Sequence, residues 1–440
     1  MARRRRRHEP ETARIESATH DGRGIVTVDG KKVFVAGALP GEEVRFQRRK
    51  SRRNYDEAEL LQVLAAGPER IEARCEAYSR CGGCSLQHVS NEQQREIKAQ
   101  TLRDNLERIG QVIPAQWLEP MVGPSWNYRR RARLAVKDVH AKGRVLVGFR
   151  ERHAPFITDM HRCEVLAQPV DGMIDSLSEL VGSLSISARM PQVEIAIADN
   201  AVALVFRVLD APTERDEALL RKYGADHEVR IYLQPRGLDS VALLYPDEVL
   251  EPLYYELPEF DIRIEFDAVG FVQVNAEINR RMVSKAVELL DPGADDRVLD
   301  LYCGIGNFSL PLARRAGTVL GVEGEAMLVR AATANAARNG IDNASFRQAD
   351  LSAIDASQSW LHEGWDLLLL DPARSGAQQI VTHIDAIGPR RIVYVSCHPG
   401  TLARDAGTLV NEKGYFCEAA GIIDMFPHTA HVESLAIFNK

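Results

Sequence analysis

The sequence lacks the features of secreted and membrane proteins. Its 440 residues hold only seven cysteines, which is too few for a disulfide scaffold in a chain of this length. No apolar run approaches the roughly 18 residues that a membrane span needs. The first residues, Met1 to His8, carry five consecutive arginines and no apolar stretch, unlike a secretory signal. We therefore expect a cytoplasmic protein in a reducing compartment, without a membrane partner.

Basic residues are distributed unevenly along the chain. The net charge is −7, yet residues 1–150 hold 30 of the 55 Lys and Arg residues and only 19 of the 62 Asp and Glu residues. The basic residues cluster at Arg3–Arg7, Arg45–Arg53 and Arg129–Arg133. A basic front half on an acidic chain predicts contact with a polyanion, although any single cluster is as readily explained as a solvated face.

The front half reads as β-rich. Short apolar runs separated by turn signals such as Asp29-Gly30 and Pro40-Gly41 predict a small OB-like β-barrel over 14–66, after a disordered basic tail over 1–13. The segment 48–55 resembles a basic hairpin tip that contacts phosphates and bases. A cysteine-rich loop over 67–92 and a helical segment over 93–125 follow. The helix itself is predicted over 91–110, because Ile97, Leu102, Leu106 and Ile109 fall near helical spacing. We assign 126–268 to a β-rich central domain.

From residue 269 to 440 the pattern changes to alternating strands and helices. We place strands at 297–302, 318–323, 344–348, 365–370 and 391–396, with closing strands at 414–424 and 434–438. This alternation predicts an α/β domain with a doubly wound, Rossmann-like parallel sheet.

The first strand of this sheet leads into a glycine loop that contains Gly304 and Gly306. Glu323 ends the next strand, where a carboxylate can accept hydrogen bonds from ribose hydroxyls, and Asp350 ends the third, within reach of an adenine amino group. A dinucleotide-binding loop would have a third glycine at position 309, where this chain has a serine. Because S-adenosylmethionine has no pyrophosphate to place at the helix N-terminus, this difference favours S-adenosylmethionine over NAD.

Two motifs lie at the ends of the fourth and fifth strands. They are Asp371-Pro372-Ala373-Arg374 and Ser396-Cys397-His398-Pro399, and both open onto the crevice where such sheets bind ligands. A cysteine is usually a small packing residue. The position of Cys397 in a loop at a strand end argues for a reactive thiol instead.

The second half of the chain resembles the RNA (uracil-C5) methyltransferases. The matching motifs are Phe271-Val272-Gln273-Val274-Asn275, the glycine loop from Asp300 to Asn307, the two strand-end motifs, and Phe426-Pro427-His428-Thr429-Ala430-His431-Val432-Glu433. They occur in the family's order across 271–440. The resemblance implies Cys397 as nucleophile and Glu433 as base. It also implies a methyl-donor site formed by Gln273, Tyr302, Asn307, Glu323, Asp350 and Asp371.

The chemistry explains these residue types. Carbon 5 of uracil becomes nucleophilic when a thiolate adds to carbon 6, and a base must then remove the hydrogen at carbon 5 so that the thiolate can leave. Cysteine is suited to this role because its thiolate is accessible near neutral pH and is a good leaving group.

Four other cysteines form a candidate metal site. Cys75, Cys81 and Cys84 are closely spaced, and Cys163 can supply a fourth thiolate. Four thiolates suit zinc or an iron–sulfur cluster, and the spacing does not choose between them. The resemblance favours a [4Fe–4S] cluster with a structural or RNA-positioning role.

The front half of the chain indicates which members of this family the chain resembles. Residues 14–65 resemble the TRAM RNA-binding domain, and a TRAM domain together with a cysteine cluster is found in the family members that methylate 23S ribosomal RNA. We therefore expect 23S ribosomal RNA as the substrate and a monomeric enzyme, with another rRNA or tRNA uridine as the alternative target.

Three rival functions fit less well. A cytosine-C5 methyltransferase would carry a Pro-Cys pair where this chain has Pro372-Ala373, and an N6-adenine methyltransferase would carry an aromatic residue at Arg374. A non-enzymatic RNA-binding protein would explain the basic front half but not Cys397 together with Glu433.

Overall fold

The computed structural model describes residues 9–19, 21–152, 154–248, 250–354 and 356–440. The arginine run Arg3–Arg7, which the sequence assigns to a disordered RNA-binding tail, lies outside the described residues. Among the helices of the described part, none combines the length and apolar character that a membrane crossing requires.

The N-terminal unit is a six-stranded sheet with strand order β1-β5-β6-β4-β3-β2. Alternating side chains of its strands, among them Val33, Val35, Val44 and Phe46, are fully buried and form its core. The strands are β1 (Glu11–Arg14), β2 (Ser17–Ala18), β3 (Arg23–Val28), β4 (Lys31–Ala36), β5 (Glu43–Ser51) and β6 (Tyr55–Ala65). The expected β-rich N-terminal unit is thus confirmed.

Two details of this unit differ from the sequence prediction. Strand β1 begins at Glu11 and pairs with β5, so the end of the predicted 1–13 tail is ordered by its backbone hydrogen bonds to that strand. Arg48 is not free for phosphate, because it forms ion pairs with Glu11 (2.7 Å) and Asp56 (2.8 Å). Arg52 and Arg53 remain exposed at the hairpin tip.

Helix α1 (Asn91–Asn105) links the N-terminal unit to the rest of the chain. The Ser90 side chain caps its first turn by accepting a hydrogen bond from the Gln93 amide. A π-helical turn (Leu106–Gly110) extends the helix, and the extra residue in this turn changes which side chains face inward. Leu102 and Leu106 are therefore buried as predicted, whereas Ile109 is 56% exposed, contrary to the predicted helical stripe.

The central domain contains a six-stranded sheet with order β13-β12-β11-β10-β8-β9 and a separate β14–β15 hairpin. The sequence predicts strands at 132–136, 145–149, 193–197, 201–208 and 229–233, and the structure has a strand at each of these places, with ends that differ by at most three residues. Strand β13, the helices and the hairpin were not predicted. Its elements, with the preceding strand β7 (Gln116–Trp117), are β8 (Arg131–Val139), β9 (Arg144–Gly148), α2 (Ile174–Ser183), β10 (Gln192–Ile197), β11 (Val202–Arg207), α3 (Glu214–Asp226), β12 (Arg230–Gln234), β13 (Ala242–Tyr245), β14 (Leu253–Leu257) and β15 (Ile262–Phe266).

The third basic cluster, Arg129–Arg133, lies at the start of this domain, and most of its side chains contact other residues of the same chain. Arg130 forms an ion pair with Asp199, and Arg133 forms one with Glu194 at 3.0 Å. Arg131 donates to the Ala268 carbonyl. Its interpretation as a polyanion contact stays a prediction, and the acidic partners of Arg130 and Arg133 reduce the positive charge that these two residues offer to a ligand.

The C-terminal domain has the predicted α/β fold. Five parallel strands run in the order β18-β17-β16-β19-β20, followed by antiparallel β22 and β21 and then by β7 at the edge. Leu367 to Leu370 and their neighbours are fully buried between two layers of helices. Its elements are α4 (Ala276–Leu290), β16 (Arg297–Leu301), α5 (Ser309–Ala313), β17 (Thr318–Glu323), α6 (Ala326–Arg338), β18 (Ala344–Gln348), β19 (Leu367–Leu370), α7 (Gln378–Thr382), α8 (Ile384–Ile387), β20 (Arg391–Ser396), α9 (Pro399–Asn411), β21 (Phe416–Ile423) and β22 (Glu433–Asn439).

Candidate active site

The glycine loop after β16 has the backbone of a ligand-binding turn. Tyr302, Gly304 and Gly306 adopt φ values of 65°, 56° and 96°, in the left-handed region that side chains other than glycine disfavour. A Cβ placed on Gly304 would meet no atom within 4 Å, so this part of the loop faces open space. A ligand can therefore approach the backbone closely at this point.

Glu323 fixes this loop to the end of the neighbouring strand β17. Its Oε2 accepts a hydrogen bond from the Gly304 amide at 3.1 Å, and its Oε1 accepts one from the Gly324 amide at 2.7 Å. Asp350 is exposed at the end of β18, where its Oδ1 accepts hydrogen bonds from the Ser352 amide (2.9 Å) and hydroxyl (2.6 Å). Burial, with the nearby charges of Asp405, Asp350 and Glu323, raises the pKa of Tyr302 to about 12.

Asn307 is held by two residues that the sequence did not indicate. Its Oδ1 accepts hydrogen bonds from the Tyr255 hydroxyl of β14 and the Asn279 amide of α4, each at 3.0 Å, and its own amide donates to Asn279 at 3.0 Å. Each of these partners comes from a different element, so only the folded chain brings them together.

Gln273 is half-buried in the segment before α4. Two residues later, Asn275 caps α4 by accepting a hydrogen bond from the Ile278 amide. The Asn275 side chain also donates to the Met425 carbonyl at 3.4 Å, which ties this segment to the loop between β21 and β22.

Cys397 and Glu433 come together through the register of two antiparallel strands. Ser396, the last residue of β20, pairs with Ser434 of β22. Cys397 follows Ser396 and Glu433 precedes Ser434, so the two side chains stand opposite each other at the strand ends. Residues in directly opposite positions have Cβ atoms about 5 Å apart.

The loop that carries Asp371 and Arg374 is held by α9. Asp405 is fully buried and accepts hydrogen bonds from the Ala377 amide and the Tyr394 hydroxyl, both at 2.7 Å. Arg374 is exposed and contacts Nδ1 of His431 at 3.0 Å. Both strand-end motifs and the Glu433 motif therefore meet at one edge of the sheet.

The acidic groups of this site have unusual protonation. Burial raises the pKa of Asp371 to about 7. Burial and the charge of Asp371 raise the pKa of Glu433 to about 8, although Arg374 and Lys98 lower it. Burial, Glu433 and Asp371 together raise the pKa of Cys397 to about 11. Burial above all, and then the neighbouring carboxyl groups, therefore favour the thiol form of Cys397 in the free chain.

A cavity of about 830 Å³ opens above Cys397 and is built by several parts of the chain. Cys397, Arg374 and His431 line it from the C-terminal domain, Arg23 from the N-terminal sheet, and Cys84 from the cysteine-rich loop. A cleft of this volume can hold a group of the size of a nucleotide.

The four cysteines of the candidate metal site line one small cavity. Cys75, Cys81, Cys84 and Cys163 surround it together with Arg129. The amide of Gly83 donates to the Cys81 sulfur at 3.4 Å. Burial raises the pKa of Cys84 to about 11 and that of Cys163 to about 12, and the neighbouring thiol groups contribute to both shifts. Within the described residues, no group of three or more His, Cys, Asp or Glu side chains is arranged to hold a single metal ion.

The C-terminal sheet has five parallel strands followed by the antiparallel strands β22 and β21, a glycine loop after β16 and an acid at the end of β17. These features together define a Rossmann-like methyltransferase. The model of the tRNA (uracil-5-)-methyltransferase family matches residues 124–440. The chain belongs to this family, which confirms the expectation of an RNA (uracil-C5) methyltransferase.

Curated relatives match the chain over its whole length. One from Methylococcus capsulatus is 49% identical over 98% of this chain and 97% of its own, and one from Alkalilimnicola ehrlichii is 49% identical over 100% and 99%. Both are named 23S rRNA (uracil(1939)-C(5))-methyltransferase RlmD. A crystal structure of the Pyrococcus abyssi tRNA (uracil-54, C5)-methyltransferase with S-adenosyl-L-homocysteine superposes with a TM-score of 0.72. It covers 97% of this chain and 100% of that one at 24% identity, and it supports the fold.

Proposed function

We propose that the protein transfers a methyl group from S-adenosylmethionine to carbon 5 of a uridine in 23S ribosomal RNA, through a covalent adduct between Cys397 and carbon 6. The substrate is the one in the names of the full-length relatives, which give the position as uracil 1939. The chemistry is supported by the pairing of Ser396 with Ser434, which sets Cys397 opposite Glu433. Because ribosomal RNA is cytoplasmic in bacteria such as these relatives' sources, we assign the protein to the cytoplasm, acting as a monomer.

In the proposed reaction the donor supplies an electrophilic methyl group when it is bound. Gln273, Tyr302, Asn307, Glu323, Asp350 and Asp371 are the residues that would hold it. The glycine loop and the end of β17 favour a nucleoside at this position, because a carboxylate and a close backbone approach are both available.

Cys397 adds to carbon 6 of the uracil as a thiolate, which makes carbon 5 nucleophilic. Since burial and two neighbouring acids raise the pKa of its thiol to about 11, the proton must leave the thiol before the attack. We assign this proton to the Asp371 carboxylate, whose pKa is raised to about 7, so that the Glu433 carboxylate stays free to take the hydrogen of carbon 5 later.

Once carbon 5 has taken the methyl group, Glu433 removes the hydrogen that carbon 5 still carries. The electron pair of that C–H bond restores the double bond between carbons 5 and 6, and the bond between carbon 6 and the Cys397 sulfur breaks. Arg374 lies beside His431 in the same cavity, where its guanidinium group is suited to orient the uracil ring or to offset negative charge on it.

The other parts of the chain fit RNA binding. We infer that the N-terminal sheet is a TRAM domain and that its exposed arginines contact phosphates. The four clustered cysteines favour a [4Fe–4S] cluster, because they provide four sulfur ligands around one cavity in a chain expected in a reducing compartment. The cluster is not needed for methyl transfer, so its role would be to shape this part of the RNA cleft.

The test compares transcripts of 23S rRNA with and without the candidate uridine, using a labelled methyl donor. Label should enter the parent transcript and not the uridine-to-cytidine transcript. A tRNA transcript serves as the comparison, and preferential labelling of tRNA would overturn the substrate assignment.

Variants test the two chemical roles. Cys397→Ala should abolish methylation while leaving donor binding intact, and turnover within about tenfold of the parent would exclude Cys397 as the nucleophile. Glu433→Gln should accumulate a methylated covalent RNA–protein adduct on a denaturing gel. If it turns over normally without an adduct, another group removes the proton, with His431 as the next candidate.

A further inference from the structure

The loop between β21 and β22, residues 424–432, leads directly into Glu433, and its residues 429–432 line the cavity, but the loop is held from outside its own domain. The amides of Ser85 and Leu86, in the cysteine-rich loop, both donate to the His428 carbonyl at 2.8 and 2.9 Å. The Ser85 hydroxyl accepts a hydrogen bond from the Ala430 amide at 3.1 Å. Ser85 thus contacts this loop on both sides of Thr429.

Gln94 of α1 joins the same two loops. It is 1% exposed, and its Oε1 accepts a hydrogen bond from the His428 amide at 2.8 Å. Its Nε2 donates to the carbonyls of Leu86 (3.0 Å) and Val89 (2.8 Å). The amide and the carbonyl of His428 are therefore both bound by residues more than 300 positions earlier in the chain.

The loop needs this support because its backbone is strained at His428. That residue has φ 64°, in the left-handed region that only a few per cent of residues other than glycine adopt. Its ring stacks on Trp126 with a centroid distance of 3.8 Å. The conformation is thus imposed by neighbours, and removing one of them lets the loop relax.

We propose that Ser85 is a positioning residue for the base: through its amide and hydroxyl it fixes the 424–432 loop, and thereby Glu433, for removal of the proton from carbon 5. This inference rests on the proposed function, in which Glu433 is that base. Addition and methyl transfer use Cys397 and the donor, so they do not depend on this loop. Proton removal does, because a displacement of about 1 Å can slow such a step roughly a hundredfold.

The experiment follows the covalent adduct through a single turnover. Enzyme, labelled donor and a 23S rRNA hairpin transcript are mixed, quenched in denaturant and resolved on a gel. Ser85→Ala should form the methylated adduct at the parental rate and release it about five- to tenfold more slowly, the effect of losing one backbone hydrogen bond. Ser85→Thr keeps the hydroxyl and should restore release. Ser240→Ala removes a hydroxyl that bonds only within its own turn, so it should behave as the parent.

A second variant, at Gln94, distinguishes positioning of Glu433 from general support of the fold. Gln94→Glu keeps the side-chain shape but replaces the amide that donates to the cysteine-rich loop, and it should also slow release more than adduct formation. If either variant slows formation and release equally, the residues only support the fold and the inference is wrong.

Failure of the inference is distinguishable from failure of the proposed function. Parental release by Ser85→Ala, with trapping by Glu433→Gln, would overturn the positioning role and leave Glu433 as the base. If Glu433→Gln itself fails to trap the adduct, the assignment of the base is wrong, and the positioning role falls with it.

Discussion

The buried ion pair between Lys98 and Asp424 gives the sharpest stability prediction. Lys98 is 1% exposed, and its Nζ lies 2.7 Å from the Asp424 carboxylate and 2.9 Å from the Phe426 carbonyl. Burial lowers the pKa of Lys98, whereas the charge of Asp424 raises it. Lys98→Met removes the cation and leaves an unpaired buried carboxylate, which should cost about 3–5 kcal/mol of unfolding free energy.

Matched variants separate the interaction energy between Lys98 and Asp424 from the effect of losing either side chain alone. Lys98→Met/Asp424→Asn removes both charges, so its loss should be smaller than the sum of the single losses by about 1–3 kcal/mol. Lys285→Met removes a half-exposed lysine paired with the exposed Glu288 and should change stability by less than about 1 kcal/mol. Urea unfolding followed by fluorescence reports these values, since Trp360 and Trp365 are buried in the C-terminal domain.

Lys98 should also act on the chemistry. Its charge lowers the pKa of Glu433, so Lys98→Met should raise that pKa and shift adduct release to higher pH. Residual folded enzyme is assayed below the melting temperature of the variant. A Lys98→Met protein as stable as the parent, with the same pH profile, would refute this account of the buried pair.

Three further predictions concern other parts of the molecule. Burial raises the pKa of Glu433 to about 8 and only its carboxylate accepts a proton, so the parental release rate should rise with pH up to about 8 and then level off; a flat profile would contradict this. Deleting residues 1–65 should weaken RNA binding and lower the slope of log affinity against log salt while sparing methyl transfer at saturating RNA, and an unchanged slope would show that this unit does not touch RNA. Protein purified without air should be brown, and Cys81→Ser or Cys84→Ser should remove the colour; a colourless parent with stoichiometric zinc would contradict the [4Fe–4S] assignment.

The parallel sheet was predictable because its strands are short buried apolar runs separated by helical patterns. β17, β18 and β20 have the predicted bounds, since buried strands leave a clear signal. The β14–β15 hairpin has no such signal. Burial does not alternate along β14, and β15 is held by contacts with α6, where the Asn335 side chain accepts a hydrogen bond from the Glu265 amide at 3.0 Å. The formation and position of this hairpin depend on tertiary contacts, which patterns in a single sequence do not contain.

The candidate site was predictable at the level of motifs. Asp371 and Cys397 could be predicted because each directly follows a predicted strand. The pairing of Ser396 with Ser434, which sets Cys397 opposite Glu433, is known only from the folded sheet. Asn279, Tyr255 and Asp405 were missed because each is an ordinary polar residue in sequence. The raised pKa of Cys397 was missed for the same reason, since it depends on carboxyl groups brought near by folding.

Helix α1 and strand β7 precede the C-terminal domain by more than 150 residues, yet they complete it. β7 pairs with β21 at the edge of the large sheet, and Lys98 bonds to Asp424, 326 positions later. During synthesis, the buried face of α1 therefore stays without its partners until nearly the whole chain has left the ribosome. We expect such late closure to make folding slow and dependent on chaperones, and a fragment that starts at residue 269 to expose the β21 edge and aggregate.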